Sequence, residues 1–122
     1  MRTLTARATP IFERGDIVRL PFPYTDRPVQ QRRPALIVSD GGVGAGGRLI
    51  WVVMITSAAN APWPQDVAIG DDYSKLGLPI PSVVRPTKVA ALDGGSAELI
   101  GKASDDLLAR VLQEIGDILN VR

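Results

Sequence analysis

The chain has 122 residues, 45% hydrophobic and 22% charged, with a net charge of +1 and neither cysteine nor histidine. That length and balance describe one globular domain with a single core rather than a disordered or fibrous chain. Lacking cysteine and histidine, it has no disulfide framework, thiol nucleophile or thiolate metal site, and it lacks the usual general acid/base and the commonest transition-metal ligand. A hydrolase triad and a zinc site are therefore excluded.

The longest apolar run, "LIWVVMI" at residues 49–55, is far shorter than the ~20 residues a membrane helix requires, and the N-terminus has no apolar h-region. The expectation is a cytoplasmic protein with no membrane association. Charge is uneven along the chain. Residues 1–33 hold seven arginines against three acids, whereas residues 104–122 lean acidic. This pattern fits either a solvated surface or a face for an anionic partner.

In chain order, "GDIVRLPF" (15–22) alternates apolar residues around Arg19 and predicts a strand. "PYTDRPVQQRR" (23–33) carries prolines and no periodicity and predicts a long loop. "ALIVS" (35–39) predicts a buried strand joined by the glycine-rich loop "DGGVGAGG" to "RLIWVVMIT" (48–56), the pair forming a hairpin. Within it Trp51 is most simply a core residue. "SAANAPWPQ" (57–65) predicts a loop and "DVAI" a short strand. "DDYSKLGLPIP" (71–81) is expected to be irregular, because Pro79 and Pro81 do not fit a central ladder.

"SVVR" and "TKVAALD" flank Pro86, and "AELIGKA" follows a "DGG" turn. From Ser104 onward, Leu107, Leu108, Val111, Leu112, Ile115, Ile118 and Leu119 recur at helical spacing, with Asp105 and Asp106 where the helix dipole favours them. Gly116 inside this helix costs about 1 kcal/mol relative to alanine and suggests close packing. Five or more short strands and a terminal amphipathic helix predict a mainly β fold, a compact barrel or half-open sheet with the helix against it, spanning residues 1–122 as one domain.

Few residues are left to carry chemistry. The loop "GGVGAGG" lacks the Gly-Lys-Ser/Thr ending of a phosphate loop and lies between strands, so it reads as a hairpin loop. The acidic pairs Asp71–Asp72 and Asp105–Asp106 read as a polar loop and a helix start rather than a metal or glycosidase site. Tyr24 and Trp63 lie in proline-flanked loops, where they either stack on unpaired bases or cover a barrel edge. Arg33 sits immediately before Pro34, so its backbone is held extended. A fixed guanidinium fork suits phosphate recognition, with a surface ion pair as the alternative.

"RGDIVRLPFPYTDRPVQQRRPALIVSD" resembles the N-terminal signature of the MazF/PemK family of toxin endoribonucleases: Arg-Gly-Asp-Ile/Val, a strand, a loop, then Arg-Pro and an apolar strand. "WVVMITSA" is similar to the family's next strand, which ends in threonine, and "SVVRPTKVAALD" to a later segment with a basic residue before an apolar strand and Asp. The likeness covers residues 12–120.

The resemblance implies an SH3-like small barrel of the CcdB/MazF type, a homodimer, metal-independent cleavage of single-stranded RNA such as mRNA, and a small acidic antitoxin as partner, with no cofactor. It places the catalytic arginine at Arg33 and the catalytic threonine at Thr56. Arg32, Ser57 and Lys88 are the implied substrate contacts, with Tyr24 as a stacking ring. If the RNA's own 2'-OH attacks the phosphorus, the protein need only position the bond, stabilise the phosphorane and manage protons. Arg33 then stabilises the phosphorane and is a candidate proton donor to the 5'-oxygen, while Thr56 positions the phosphate. The expected products are a 2',3'-cyclic phosphate and a 5'-hydroxyl. No residue is assigned as base, since arginine with a pKa above ~12 is a poor one. The alternative within this fold is a gyrase-binding toxin of the CcdB type, which needs neither Arg33 nor Thr56.

Overall fold

The computed structural model describes residues 11–22 and 31–121. Among the described residues six strands, β1 (Asp16–Phe22), β2 (Gln31–Ile37), β3 (Leu49–Ser57), β4 (Val67–Ala68), β5 (Ser82–Asp93) and β6 (Glu98–Lys102), form one sheet, followed by a helix, α1 (Asp105–Leu119). The strand order is β4-β5-β3-β2-β1-β6, and every neighbouring pair is antiparallel. The sheet curls into a half-barrel with the C-terminal helix packed on it, the mainly β architecture expected.

From Val52 to Ile55 β3 is buried on both faces, which explains why this stretch reads as a continuous apolar run rather than an alternating one. Ile17, Leu36, Val53, Ile55 and Val84 face Leu107 and Val111 of α1. Val18, Leu20, Ala35, Ile37, Val52 and Met54 point the other way and pack with Phe12 and Phe22. Each of these side chains except Ala35 contributes about 1.5–3 kcal/mol on burial. The Arg-Gly-Asp opening is a corner of this core. Gly15 adopts φ +95°, its N–H donates to the Ile37 carbonyl and its carbonyl accepts from Ala103. Asp16, fully buried, accepts the Glu13 N–H at 2.8 Å and faces Lys102 Nζ at 3.5 Å.

Pro34 and Pro86, which read in the sequence as strand boundaries, lie inside strands. β2 begins at Gln31, so Arg32 and Arg33 belong to the strand rather than to the preceding loop. Pro34 is tolerated because it pairs with Arg19 of β1, while pairing with β3 starts only at Ala35. Pro86 does not separate two strands: β5 runs 12 residues through it, and its register to β3 shifts from Met54↔Arg85 to Val53↔Val89. The bulge holds Pro86, Thr87 and Lys88, where no ladder N–H is needed.

Residues 70–76 wind into a 3₁₀ helix instead of remaining irregular, and Gly77 ends it at φ +81°. Trp51 is another departure. Strand alternation puts it on the same face as Val53, but α1 does not cover that end of the sheet, and Trp51 stays 53% exposed. α1 begins as anticipated, with Ser104 Oγ accepting the Leu107 N–H at 3.1 Å. At its other end Asn120 takes the left-handed conformation and Val121 N–H returns to the Gly116 carbonyl at 2.8 Å. A Cβ on Gly116 would lie 2.8 Å from the Val121 oxygen, so this glycine does mark close packing.

Candidate nucleic-acid site between β2 and β3

Strand register builds the site. β2 and β3 stop pairing at Ala35↔Met54, and two further steps of the same antiparallel register set Arg33 opposite Thr56. Opposed residues of an antiparallel pair share a face, so the guanidinium and the hydroxyl point to the same side. β2 meanwhile stays with β1 through Leu20↔Arg33, and β3 stays with β5 through Thr56↔Val83. The two strand pairs part like the arms of a wedge. The opening is a pocket of about 340 Å³ lined by Arg19, Arg32, Arg33 and Pro34 from β1 and β2 and by Ile55, Thr56 and Ser57 from β3, with Asn60, Pro79, Ile80 and Ser82 completing it.

Arg33 is half-buried, with its Nε inside the protein, and Thr56 is 5% exposed. Thr56 Oγ1 accepts a hydrogen bond from Asn60 Nδ2 at 3.0 Å. Ser57, read from sequence as a substrate contact, caps the short 3₁₀ turn Ala58–Asn60 by accepting the Ala59 N–H at 3.1 Å. That turn brings Asn60 back beside Thr56. Arg32 lines the pocket while its guanidinium donates to the carbonyls of Arg19 (3.1 Å) and Ser96 (3.5 Å), tying β2 to its neighbours. Lys88 does not line this pocket. It sits in the β5 bulge with its ammonium 5.7 Å from the Trp63 ring centroid. Tyr24 lies outside the described residues.

Beside Thr56 lies a group that the sequence reading missed. Arg85, only 4% exposed, donates Nε to Asp66 Oδ1 at 3.0 Å and one terminal nitrogen to Asp66 Oδ2 at 2.9 Å and to the Asn60 carbonyl at 3.0 Å. Trp63 stacks on the same guanidinium, 3.9 Å from its ring centroid. The hydrogen bonds from Arg85 hold the Asp66 carboxyl below its ordinary range, with the Trp63 N–H adding to the effect and burial opposing it. Register anticipates this pair too, because Val67↔Val84 places Asp66 opposite Arg85 one step on. "DVAI" and "SVVR" each showed a charge beside a short apolar strand. Which charge meets which is set only when β4 and β5 pair.

The acidic pairs have local partners. Asp72 meets Lys75 at 3.5 Å and Asp106 meets Arg110 at 3.1 Å. None of these four acids lines the Arg33–Thr56 pocket.

Solved structures share this fold. A MazF from Deinococcus radiodurans, solved with MazE, superposes with a TM-score of 0.71 at 27% identity, over 92% of this chain and 98% of that one. An endoribonuclease from a mycobacterial species shares the fold at 17% identity (TM-score 0.67, 96% and 97% coverage). A mycobacterial endoribonuclease in complex with its cognate antitoxin does so at 19% identity (TM-score 0.65, 90% and 94% coverage). No curated protein sequence matches. The family described as PemK-like, MazF-like toxin of type II toxin-antitoxin systems matches residues 13–119. With nearly the whole chain covered, this protein belongs to the PemK/MazF-like toxin family.

Proposed function

We propose that this toxin is an endoribonuclease that cleaves single-stranded RNA sequence-specifically in the cytoplasm, and that its site is the pocket between β2 and β3. The observation carrying the reading is that Arg33 and Thr56 line one pocket where β2 and β3 part. Arg19, Arg32 and Arg33 supply positive charge around a pocket that admits a phosphodiester, and the sequence has no histidine or cysteine to serve as base or thiol nucleophile.

The substrate supplies the nucleophile. The 2'-oxygen attacks the adjacent phosphorus and loses its proton to solvent, the phosphorus–5'-oxygen bond breaks, and the leaving oxygen takes up a proton from solvent. The ends are a 2',3'-cyclic phosphate and a 5'-hydroxyl. Arg33 stabilises the charge that grows on the non-bridging oxygens, and Thr56 holds the phosphate in line. The protein contributes positioning and charge, which requires no metal.

A homodimer and an acidic antitoxin complete the proposal. Leu49, Trp51 and Val89 expose apolar surface on one sheet face, which a second copy would cover. The antitoxin would lay an acidic segment across the arginine-lined pocket, with affinity falling as salt rises. The deciding experiment is cleavage of a long single-stranded RNA in EDTA by wild type, Arg33→Ala and Thr56→Ala, with the 5' ends mapped. Site-specific cuts that survive EDTA, disappear in both variants and fail on a 2'-deoxy linkage are expected. A folded wild type that cuts no RNA and binds gyrase would replace the reading.

A further inference from the structure

Asn60 is a polar pocket residue to which the proposed reaction gives no role. Its side-chain amide nitrogen donates to Thr56 Oγ1 at 3.0 Å, and its backbone carbonyl is held at 3.0 Å by Arg85. Arg85 is itself fixed by both oxygens of Asp66 and by the stacked Trp63 ring. On the other side, the Ser57 cap sets the turn that carries Asn60. The amide is therefore anchored at both ends of a three-residue turn, one anchor being a buried ion pair.

A threonine hydroxyl has one proton and two lone pairs. When an amide N–H occupies one lone pair, the hydroxyl proton is directed away from that amide. Thr56 and Asn60 both line the pocket, so the space left for that proton is where a substrate phosphate would sit. The reverse orientation of the amide, with its oxygen toward Thr56, would draw the proton away from the phosphate.

We infer that Asn60 is a positioning residue of this site: by donating to Thr56 Oγ1 it aims the threonine proton at a non-bridging phosphate oxygen, making Thr56 a hydrogen-bond donor to the phosphorane. The inference rests on the ribonuclease reading above. The Arg85–Asp66 pair is the anchor of this device and does not itself reach substrate.

The test uses the intact protein and an RNA with one mapped cut, comparing wild type with Asn60→Ala and Asn60→Asp, each checked for folding by its thermal melt. Asn60→Ala is expected to cut the same site with kcat lowered about 10- to 100-fold and KM changed less than about twofold, as for loss of an interaction made in the transition state. Asn60→Asp keeps the size of the side chain but offers only acceptors, so it is expected to be at least as slow. Wild-type kcat in Asn60→Asp would make the residue a spacer in the loop and overturn the assignment. So would an Asn60→Ala effect confined to KM. If Asn60→Ala does not fold, the near-isosteric Asn60→Asp decides alone. A folded wild type that cuts no RNA overturns the ribonuclease reading and this assignment with it, whereas cleavage by wild type at unchanged kcat in the variants overturns the role of Asn60 alone.

Discussion

Arg85 and Asp66 meet through two hydrogen bonds, with both side chains 5% exposed, and the ring of the tryptophan three residues before Asp66 lies with its centroid 3.9 Å from the guanidinium carbon. Two charges removed from water in this way depend on each other, because either left alone would be buried without compensation. Asp66→Ala is expected to lower stability by about 3 kcal/mol or more, measured by urea unfolding. A loss well under about 1 kcal/mol would show that water reaches Arg85 readily in the variant.

The same pair makes stability pH-dependent. Arg85 lowers the Asp66 pKa in the folded state from its ordinary 3.8. For a depressed carboxyl the stabilisation is fully present above the unfolded value and is lost as pH falls below 3.8 through the folded value. Melting temperature is therefore expected to drop in that acid window more steeply for wild type than for Asp66→Asn. Parallel curves for the two proteins would remove Asp66 from the account.

Arg33→Lys separates charge from shape. Lysine preserves the positive charge at the end of β2 but not the planar fork of donors. Cleavage is expected to fall about 100-fold or more with an unchanged melt. Near-wild-type activity would mean that a point charge suffices there.

Two glycines offer a contrast within the fold. A Cβ on Gly101 would overlap the backbone of Leu76, and one on Gly77 that of Ile100, so β6 and the 3₁₀ helix touch backbone to backbone. Gly70 has φ +82° and open space around it. Gly101→Ala is expected to cost about 2–3 kcal/mol through overpacking, and Gly70→Ala about 1–2 kcal/mol through its left-handed backbone. Denaturant midpoints in the opposite order would contradict the close approach.

Trp51→Lys tests the homodimer. A charge placed in the exposed apolar stretch of β3 and β5 is expected to weaken self-association about tenfold or more, seen by sedimentation, while the melt of the dilute protein changes little. A dimer indifferent to Trp51→Lys would place the interface elsewhere, and the exposed Ile118 and Leu119 of α1 would be tested next.

Local chemistry in the sequence determined much of this protein. The 3.6-residue period after Ser104 specified α1, the apolar runs specified β1 and β3, and the missing histidine and cysteine limited the reaction before any fold was known. The order of motifs also pointed to the family. Tertiary structure decided what depends on which strands become neighbours. Pro34 and Pro86 are forbidden or harmless according to which edge of the strand is paired, and Trp51 is core or surface according to how far α1 extends over the sheet. Asn60, Asp66 and Arg85 carried no recognisable local signal. Asp66 meets Arg85 only because β4 pairs with β5, and such long-range register leaves no trace in the spacing of residues along the chain.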